Sequence, residues 1–135
     1  MKYFDFNVRV RYAETDQMGV VYHGNYAQYF EIGRVEWLRN LGISYKKMEE
    51  MGVMLPVVSL TMNYKKSAKY DEDLTIRTIF KKLTSVKIEF DYKLYNEAGE
   101  LLTTGNSVLV FIDMITGRPI AAPQYVVDKV AAIEM

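Results

Sequence analysis

The sequence feature that most constrains the fold is a long helical repeat of large apolar side chains that begins at Tyr26. Spacings of three and four residues gather these side chains on one broad helix face: Tyr26, Tyr29, Phe30, Ile32, Gly33, Trp37, Leu38 and Leu41. So wide an apolar surface predicts a helix that the rest of the chain largely encloses. Asn25 occupies the expected N-cap position with Gln28 in a capping-box-like arrangement, and Gly42 supplies the stop signal.

Segments that alternate apolar and polar residues lie on both sides of this helix in the sequence. The alternation predicts a strand over residues 4–12 and four more strands, over 56–64, 73–82, 86–95 and 101–112. Weaker helical patterns cover residues 44–51 and the chain from about residue 123. Consecutive strands with short connections form antiparallel sheets, so this order predicts the α+β class, with one curved sheet around one enclosed helix.

A single open sheet has edge strands whose backbone groups are unpaired, and a second copy of the chain would cover them. We therefore expect a homodimer. The 135 residues fit one domain, spanning residues 1–135, because domains most often contain roughly 100–150 residues.

Composition excludes several kinds of function. The chain has no cysteine, which excludes disulfides, thiol nucleophiles and cysteine-bound zinc, and its single histidine leaves little for a metal site. Its 17 basic and 17 acidic residues give zero net charge, so no general attraction to nucleic acid is expected. No apolar run approaches the roughly 20 residues of a membrane span, and Asp5 interrupts any signal peptide. We expect a cytoplasmic protein.

Chemically active side chains are concentrated between the first strand and the long helix: Tyr12, Glu14, Thr15, Asp16, His23 and Asn25. The free N–H groups and dipole of a helix start could stabilise an oxyanion while a nearby carboxylate attacks or activates water. Spacing alone does not establish that these groups converge. Taken alone, Asp16 is more readily explained as a loop residue that closes an Asx turn, and His23 as a structural hydrogen-bonding residue.

The sequence VRYAETDQMGVVYHGNY over residues 10–26, followed by FEIGR over residues 30–34, resembles the N-terminal signature of hotdog-fold acyl-CoA thioesterases. The resemblance is to the 4-hydroxybenzoyl-CoA thioesterase family, including the thioesterases associated with the Tol–Pal system. The Tyr-x-x-Thr-Asp-x-x-Gly-x-Val-Tyr-His-x-x-Tyr portion is specific for that branch. The later strands match only in pattern, although length and element order agree over essentially the whole chain.

This resemblance implies a hotdog fold, in which a five-stranded antiparallel sheet wraps around the long helix. It also implies dimers, often dimers of dimers, with active sites at the subunit interface. Asp16 would be the catalytic carboxylate, either as a nucleophile that forms a mixed anhydride or as a general base on water. His23 would orient the carboxylate or the thioester. Tyr12 would position the acyl group or Asp16, with core packing as an equal alternative.

The substrate-binding residues implied by the family fall into two groups. Gly24 and Asn25 begin the helix whose amides could hold the thioester carbonyl oxygen, although Asn25 is more simply a helix cap. Basic side chains that bind the phosphates of coenzyme A map to the connection between two predicted strands, at Lys65, Lys66, Ser67 and Lys69. For any single one of these, a solvated loop is the simpler interpretation. No metal or separate cofactor is implied, because coenzyme A is part of the substrate.

The leading hypothesis is therefore an acyl-CoA thioesterase that releases a free acid and coenzyme A. An acyl-acyl carrier protein thioesterase and a non-catalytic thioester-binding scaffold on the same fold are the alternatives. A hotdog dehydratase would need a different acid–base pair, and a Gly-x-Ser-x-Gly hydrolase elbow is absent from the sequence. The sequence does not identify the acyl group.

Overall fold

One antiparallel sheet curves around one long helix in the computed structural model of the chain, which describes residues 2–134. The elements in chain order are β1 (Tyr3–Arg9), α1 (Tyr26–Asn40), α2 (Tyr45–Glu50), β2 (Val53–Met54), β3 (Val57–Tyr64), β4 (Asp73–Leu83), β5 (Lys87–Tyr95), β6 (Leu101–Val110), β7 (Ile112–Asp113) and α3 (Gln124–Ile133). The predicted α+β class and the predicted enclosed helix are confirmed.

The main sheet has five strands in the spatial order β1-β4-β5-β6-β3, and every neighbouring pair is antiparallel. A separate two-stranded ribbon pairs β2 with β7. The sequence pattern did not predict β2, and it extended the last strand across residue 111, where the structure separates β6 from β7. Strands of two residues are too short to show a period, which explains why they escaped the analysis.

Helix α1 packs its apolar face into the concave side of the sheet. Trp37 lies against Phe80 and Phe90, with ring centroids 5.6 and 5.0 Å away, and Phe30 stacks on Tyr92 at 4.6 Å. Gly33 lets the helix approach β4 closely, because a Cβ at this position would lie 2.5 Å from the Thr78 hydroxyl oxygen. These contacts form the centre of the hydrophobic core.

Two positions of α1 differ from the predicted face. Ile32 is 36% exposed, although the pattern placed it in the apolar stripe. Arg34 is 7% exposed and donates to the Tyr92 hydroxyl at 3.3 Å, although a charged residue is expected to face solvent. The buried face of α1 is therefore rotated toward Arg34 relative to the pattern of apolar residues.

The two edges of the sheet are β1 and β3. Strand β3 exposes several apolar side chains, with Val58 at 55%, Leu60 at 44% and Tyr64 at 53%. Leu60 and Tyr64 pair with the buried Ser107 and Thr103 of β6, so they continue the concave face of the sheet. This edge strand therefore carries apolar side chains that α1 leaves uncovered. Within residues 2–134, no helix combines the length and the apolar character that a membrane crossing requires.

Candidate active site

The loop between β1 and α1 folds into a small hairpin that carries Asp16. The backbone N–H of Asp16 donates to the carbonyl oxygen of Val20 at 2.8 Å, and Thr15 bridges Val21 in an antiparallel pair. Gly19 closes the hairpin with a φ of +79°, a backbone conformation that glycine adopts more readily than residues with a Cβ. On its other side the hairpin joins the connection between β3 and β4, where Val21 donates to Ala68 at 2.9 Å.

Glu14 anchors this loop from beneath. It is 7% exposed, and its carboxylate accepts from the backbone N–H of Arg11 at 2.9 Å and from the Tyr29 hydroxyl at 2.8 Å. Its carbonyl oxygen accepts from the side chain of Asn25 at 2.8 Å. Burial alone would raise the pKa of Glu14, but the hydrogen bonds from Arg11 and Tyr29 outweigh it and hold that pKa below its ordinary value. Glu14 therefore joins the Asp16 loop to α1 as a buried anion.

The carboxylate of Asp16 is half-buried and only partly engaged. Its Oδ1 accepts from the backbone N–H of Met18 at 2.8 Å, which forms the Asx turn that the residue type predicts. Its Oδ2 accepts no hydrogen bond from any of residues 2–134. The turn fixes the side chain and leaves Oδ2 free. The Asx turn is therefore compatible with a chemical role for Asp16.

A cleft of about 310 Å³ lies beside this hairpin, at the start of α1. Its walls come from the hairpin, the helix start, the end of β3 and the connection that follows it: Val21, His23, Tyr26, Tyr64, Lys65, Lys66 and Ser67. The His23 ring lies 4.4 Å from the Tyr22 ring and 6.4 Å from the Tyr64 ring, between centroids. Asp16 is not one of the residues that line the cleft, but its hairpin partner strand carries Val21, which does.

Two backbone N–H groups are free at the helix start. Residues His23–Asn25 form a 3₁₀ turn that runs directly into α1. The N–H groups of His23 and Gly24 donate to no acceptor within residues 2–134, as expected for the first turn of a helix. A Cβ at position 24 would lie 2.8 Å from the Tyr22 ring, so glycine allows this backbone to pass close to that ring.

The predicted roles of Asn25 are wrong in two respects. Its side chain does not cap α1, because its backbone is already helical and its side-chain amide reaches across to the carbonyl of Glu14. Its backbone N–H is not free to hold an oxyanion, because it donates to the Tyr22 carbonyl at 2.9 Å. The free donors are one and two residues earlier, at Gly24 and His23.

The structure places Tyr12 outside the hydrophobic core. Strand β1 ends at Arg9, and Tyr12 begins a 3₁₀ turn in which its side chain is 78% exposed. The expectation of core packing is therefore wrong. The Tyr12 ring contacts Tyr70 edge-on, with the centroids 5.7 Å apart, and it does not line the cleft. The alternating pattern wrongly placed Tyr12 in the first strand, because that strand ends at Arg9, three residues earlier.

The basic residues of the β3–β4 connection occupy different environments. Lys65 lines the cleft and makes no ion pair within residues 2–134. Lys66 lines it too, but its ammonium is paired with Glu100. Ser67 and Lys69 line a second depression of about 360 Å³ between this connection and the β5–β6 turn, and Ser67 borders both cavities. Within residues 2–134, no group of three metal-ligating side chains comes together.

Comparisons with known proteins agree with this architecture. Residues 10–130 match the thioesterase-like superfamily. YneP of Bacillus subtilis, provisionally named an acyl-CoA thioesterase, is 41% identical over 84% of this chain and 82% of its own length. The acyl-CoA thioester hydrolase YbgC of Escherichia coli O157:H7 is 31% identical over 93% of this chain and 94% of its own. A crystal structure of a DHNA-CoA thioesterase from Staphylococcus aureus superposes with a TM-score of 0.93 at 40% identity, covering 99% of this chain and 92% of that one.

Proposed function

The chain belongs to the thioesterase-like superfamily, and we propose that it hydrolyses the thioester of an acyl-CoA to a free acid and coenzyme A. The observation that carries this proposal is local: a fixed carboxylate with one free oxygen, Asp16, stands on a hairpin beside a helix start whose N–H groups at His23 and Gly24 are free. The names of YneP, YbgC and the superposed DHNA-CoA thioesterase support the same reaction.

In the proposed mechanism the thioester carbonyl oxygen lies against the N–H groups of His23 and Gly24. The free Oδ2 of Asp16 then either attacks the carbonyl carbon or removes a proton from an attacking water. Attack would give a mixed anhydride and coenzyme A thiolate, and water would then release the acid and restore Asp16. In both routes negative charge develops on the carbonyl oxygen, where one well-placed donor contributes about 3–4 kcal/mol. His23 would orient the thioester from the wall of the cleft.

The two routes differ in where the oxygen of the solvent first appears. In the nucleophilic route, water that attacks the Asp16 carboxyl carbon of the anhydride places the label in Asp16 during a single turnover in water enriched in ¹⁸O. The first acid released by this route carries an oxygen that came from Asp16. In the general-base route, the first acid released carries the solvent oxygen.

The decisive experiment replaces Asp16 and follows thiol release from acyl-CoA. Asp16→Asn keeps the shape and an acceptor for the Met18 N–H, so the hairpin should fold as before. We expect activity to fall by several orders of magnitude with the unfolding midpoint little changed. Gln17→Ala, an exposed change on the same hairpin, is the matched control. A fully active Asp16→Asn protein would reject the mechanism, and acyl-CoA binding without turnover by the native protein would favour the non-catalytic scaffold.

We also propose that coenzyme A crosses the β3–β4 connection. Lys65 borders the cleft without an ion pair, so its ammonium is available to a phosphate. Lys66, Ser67 and Lys69 extend the same surface, and Glu100 competes for Lys66. Faster turnover of an acyl-acyl carrier protein than of the acyl-CoA with the same acyl group would instead favour the carrier-protein thioesterase.

Self-association through β3 forms part of the proposal. The β3 edge offers unpaired backbone groups and exposed apolar side chains, and Tyr64 at its end lines the cleft. A second copy paired along this edge would therefore stand next to the cleft, as the interface-located sites of the family imply. Light scattering of the protein in solution measures its mass and decides between a dimer and a dimer of dimers.

The motif at residues 12–26 supports a more specific family assignment. We propose that the chain falls in the 4-hydroxybenzoyl-CoA thioesterase family, in the branch that includes the Tol–Pal-associated enzymes, because residues 12–26 carry that branch's pattern and YbgC is a relative. We propose a single domain and a cytoplasmic location, where coenzyme A thioesters are made. Activity on a panel of aromatic, short-chain and long-chain acyl-CoAs would identify the acyl group.

A further inference from the structure

Tyr26 occupies an unusual position in the cleft. It is the first residue of α1, where long side chains point back toward the helix start. Its ring is 3% exposed and lies edge-on to the Tyr64 ring at a centroid distance of 5.3 Å. Tyr26 nevertheless lines the cleft together with His23. The apolar pattern of α1 explains its ring, but not its hydroxyl group.

The hydroxyl oxygen of Tyr26 accepts from the backbone N–H of Ala68 at 3.2 Å. A backbone N–H can only donate, so this bond uses a lone pair of the phenol and leaves the phenol proton free. No acceptor among residues 2–134 receives that proton. Buried tyrosine hydroxyls ordinarily find such a partner.

Three other buried or half-buried tyrosines of the chain show the ordinary arrangement. Tyr29 donates to the carboxylate of Glu14 at 2.8 Å, and Tyr45 donates to the carbonyl of Leu55 at 2.6 Å. The Tyr92 hydroxyl shares a hydrogen bond of 2.5 Å with Ser107. Tyr26 is thus set apart by a fixed oxygen, a free proton and a place in the wall of the cleft.

The surroundings keep this proton on the oxygen. Burial raises the pKa of Tyr26, and although the Ala68 N–H opposes that effect, the neighbouring Tyr64, Glu72 and Asp16 raise the pKa further. The phenol is therefore a neutral hydrogen-bond donor at neutral pH. The negative charge of Asp16 is therefore close enough to raise the pKa of the Tyr26 hydroxyl.

We propose that Tyr26 is a further catalytic residue, whose O–H donates a hydrogen bond to the thioester carbonyl oxygen, alongside the N–H groups of His23 and Gly24. This inference rests on the proposed thioester hydrolysis. When the acyl carbon is attacked, an electron pair of the C=O bond moves onto the carbonyl oxygen, and these donors stabilise the resulting negative charge. The pair re-forms the C=O bond when the C–S bond breaks and coenzyme A leaves as the thiolate. The proton stays on Tyr26 throughout, so Tyr26 is neither consumed nor charged.

The first test compares Tyr26→Phe with Tyr45→Phe. Both changes remove one hydroxyl from a packed ring, but Tyr45 bonds to Leu55, away from the cleft. We expect Tyr26→Phe to lower kcat by roughly 10²-fold with KM little changed, because a single oxyanion donor has an effect of that order. Tyr45→Phe should retain the native kcat. A Tyr26→Phe protein with native kcat would overturn the proposal.

A second test separates donation from structure, since Tyr26→Phe also deprives the Ala68 N–H of its acceptor. Site-specific replacement of Tyr26 by 3,5-difluorotyrosine keeps the acceptor oxygen but lowers the pKa of the phenol. A phenolate cannot donate, so kcat should fall as pH rises through that lower pKa, while the native enzyme stays active over the same range. A pH profile identical to the native one would overturn the proposal. Activity of Asp16→Asn tests the underlying hydrolysis separately, so the two failures are distinguishable.

Discussion

Replacement of Glu14 by glutamine tests whether the buried anion stabilises the Asp16 loop. The carboxylate holds the Arg11 N–H at 2.9 Å, the Tyr29 hydroxyl at 2.8 Å and the Arg11 guanidinium at 3.0 Å. Glutamine keeps one acceptor oxygen but loses the charge. The bond from Tyr29 then falls from a charge-assisted to a neutral one, a loss of about 1 kcal/mol. The Arg11 pair adds only about 0.2–1 kcal/mol, because the Arg11 side chain is 76% exposed.

We therefore expect Glu14→Gln to reduce the free energy of unfolding by about 1–2 kcal/mol at neutral pH. Glu14→Ala should cost more, because it leaves the buried Tyr29 hydroxyl without an acceptor. Urea unfolding measures both effects as shifts of the midpoint at constant slope. A double-mutant cycle with Tyr29→Phe should return a coupling close to the loss assigned to the Tyr29 bond.

The pH dependence of this effect has a defined sign. The pKa of Glu14 is below its ordinary value of 4.5 in the folded protein, so the folded state favours the carboxylate. The stabilisation is fully present above that ordinary value and disappears as pH falls through the lower folded value. The native protein and Glu14→Gln should therefore converge in stability in acid. An equal stability at neutral pH, or a gap that persists undiminished in acid, would refute the reasoning.

Three other changes test separate parts of the structure. Gly33→Ala should lower the free energy of unfolding by about 1–3 kcal/mol, because its Cβ would lie 2.5 Å from the Thr78 hydroxyl oxygen and 2.6 Å from Ile76. Urea unfolding measures this loss, and a gain in stability from alanine's better helix propensity would contradict the close packing. Lys65→Ala should raise KM for an acyl-CoA several-fold. KM for the matching acyl-pantetheine, which lacks the nucleotide phosphates, should not change. Equal increases in KM for both substrates would exclude a phosphate contact at Lys65. Leu60→Lys should lower the mass measured by light scattering if β3 is the dimer edge, and an unchanged mass would exclude that edge. Lys81→Glu, an exposed change on the interior strand β4, is the control and should leave the mass unchanged.

The long elements of the fold could be predicted because each shows its own period in the sequence. Helix α1 begins at Tyr26 as predicted and ends at Asn40, and β4 begins at Asp73 as predicted. The periodic pattern of each element reflects the burial of one of its faces in the core between the curved sheet and α1. Comparison with known thioesterases confirms the predicted hotdog fold and the predicted class of enzyme.

What the sequence did not predict depends on contacts between distant residues. Arg34 is buried because the Tyr92 hydroxyl accepts from it across the core, and a helical pattern contains no information about that partner. Asn25 bonds to the carbonyl of Glu14, eleven residues earlier, instead of capping its own helix. In both cases the residue type predicted the local behaviour, and a tertiary hydrogen bond replaced it.

The free groups of the candidate site are produced by the same contacts that hold the fold together. The carbonyl of Glu14 engages the side chain of Asn25, which ties the 3₁₀ turn to the Asp16 loop. That turn leaves the N–H groups of His23 and Gly24 without acceptors, and the adjoining connection holds Tyr26 by its oxygen so that its proton is free. A free donor in water would gain little from a developing charge, but donors fixed beforehand in a partly enclosed cleft need no rearrangement when the charge appears. In the proposed mechanism, one ordinary carboxylate is then sufficient for a thioester, because these fixed donors stabilise the oxyanion.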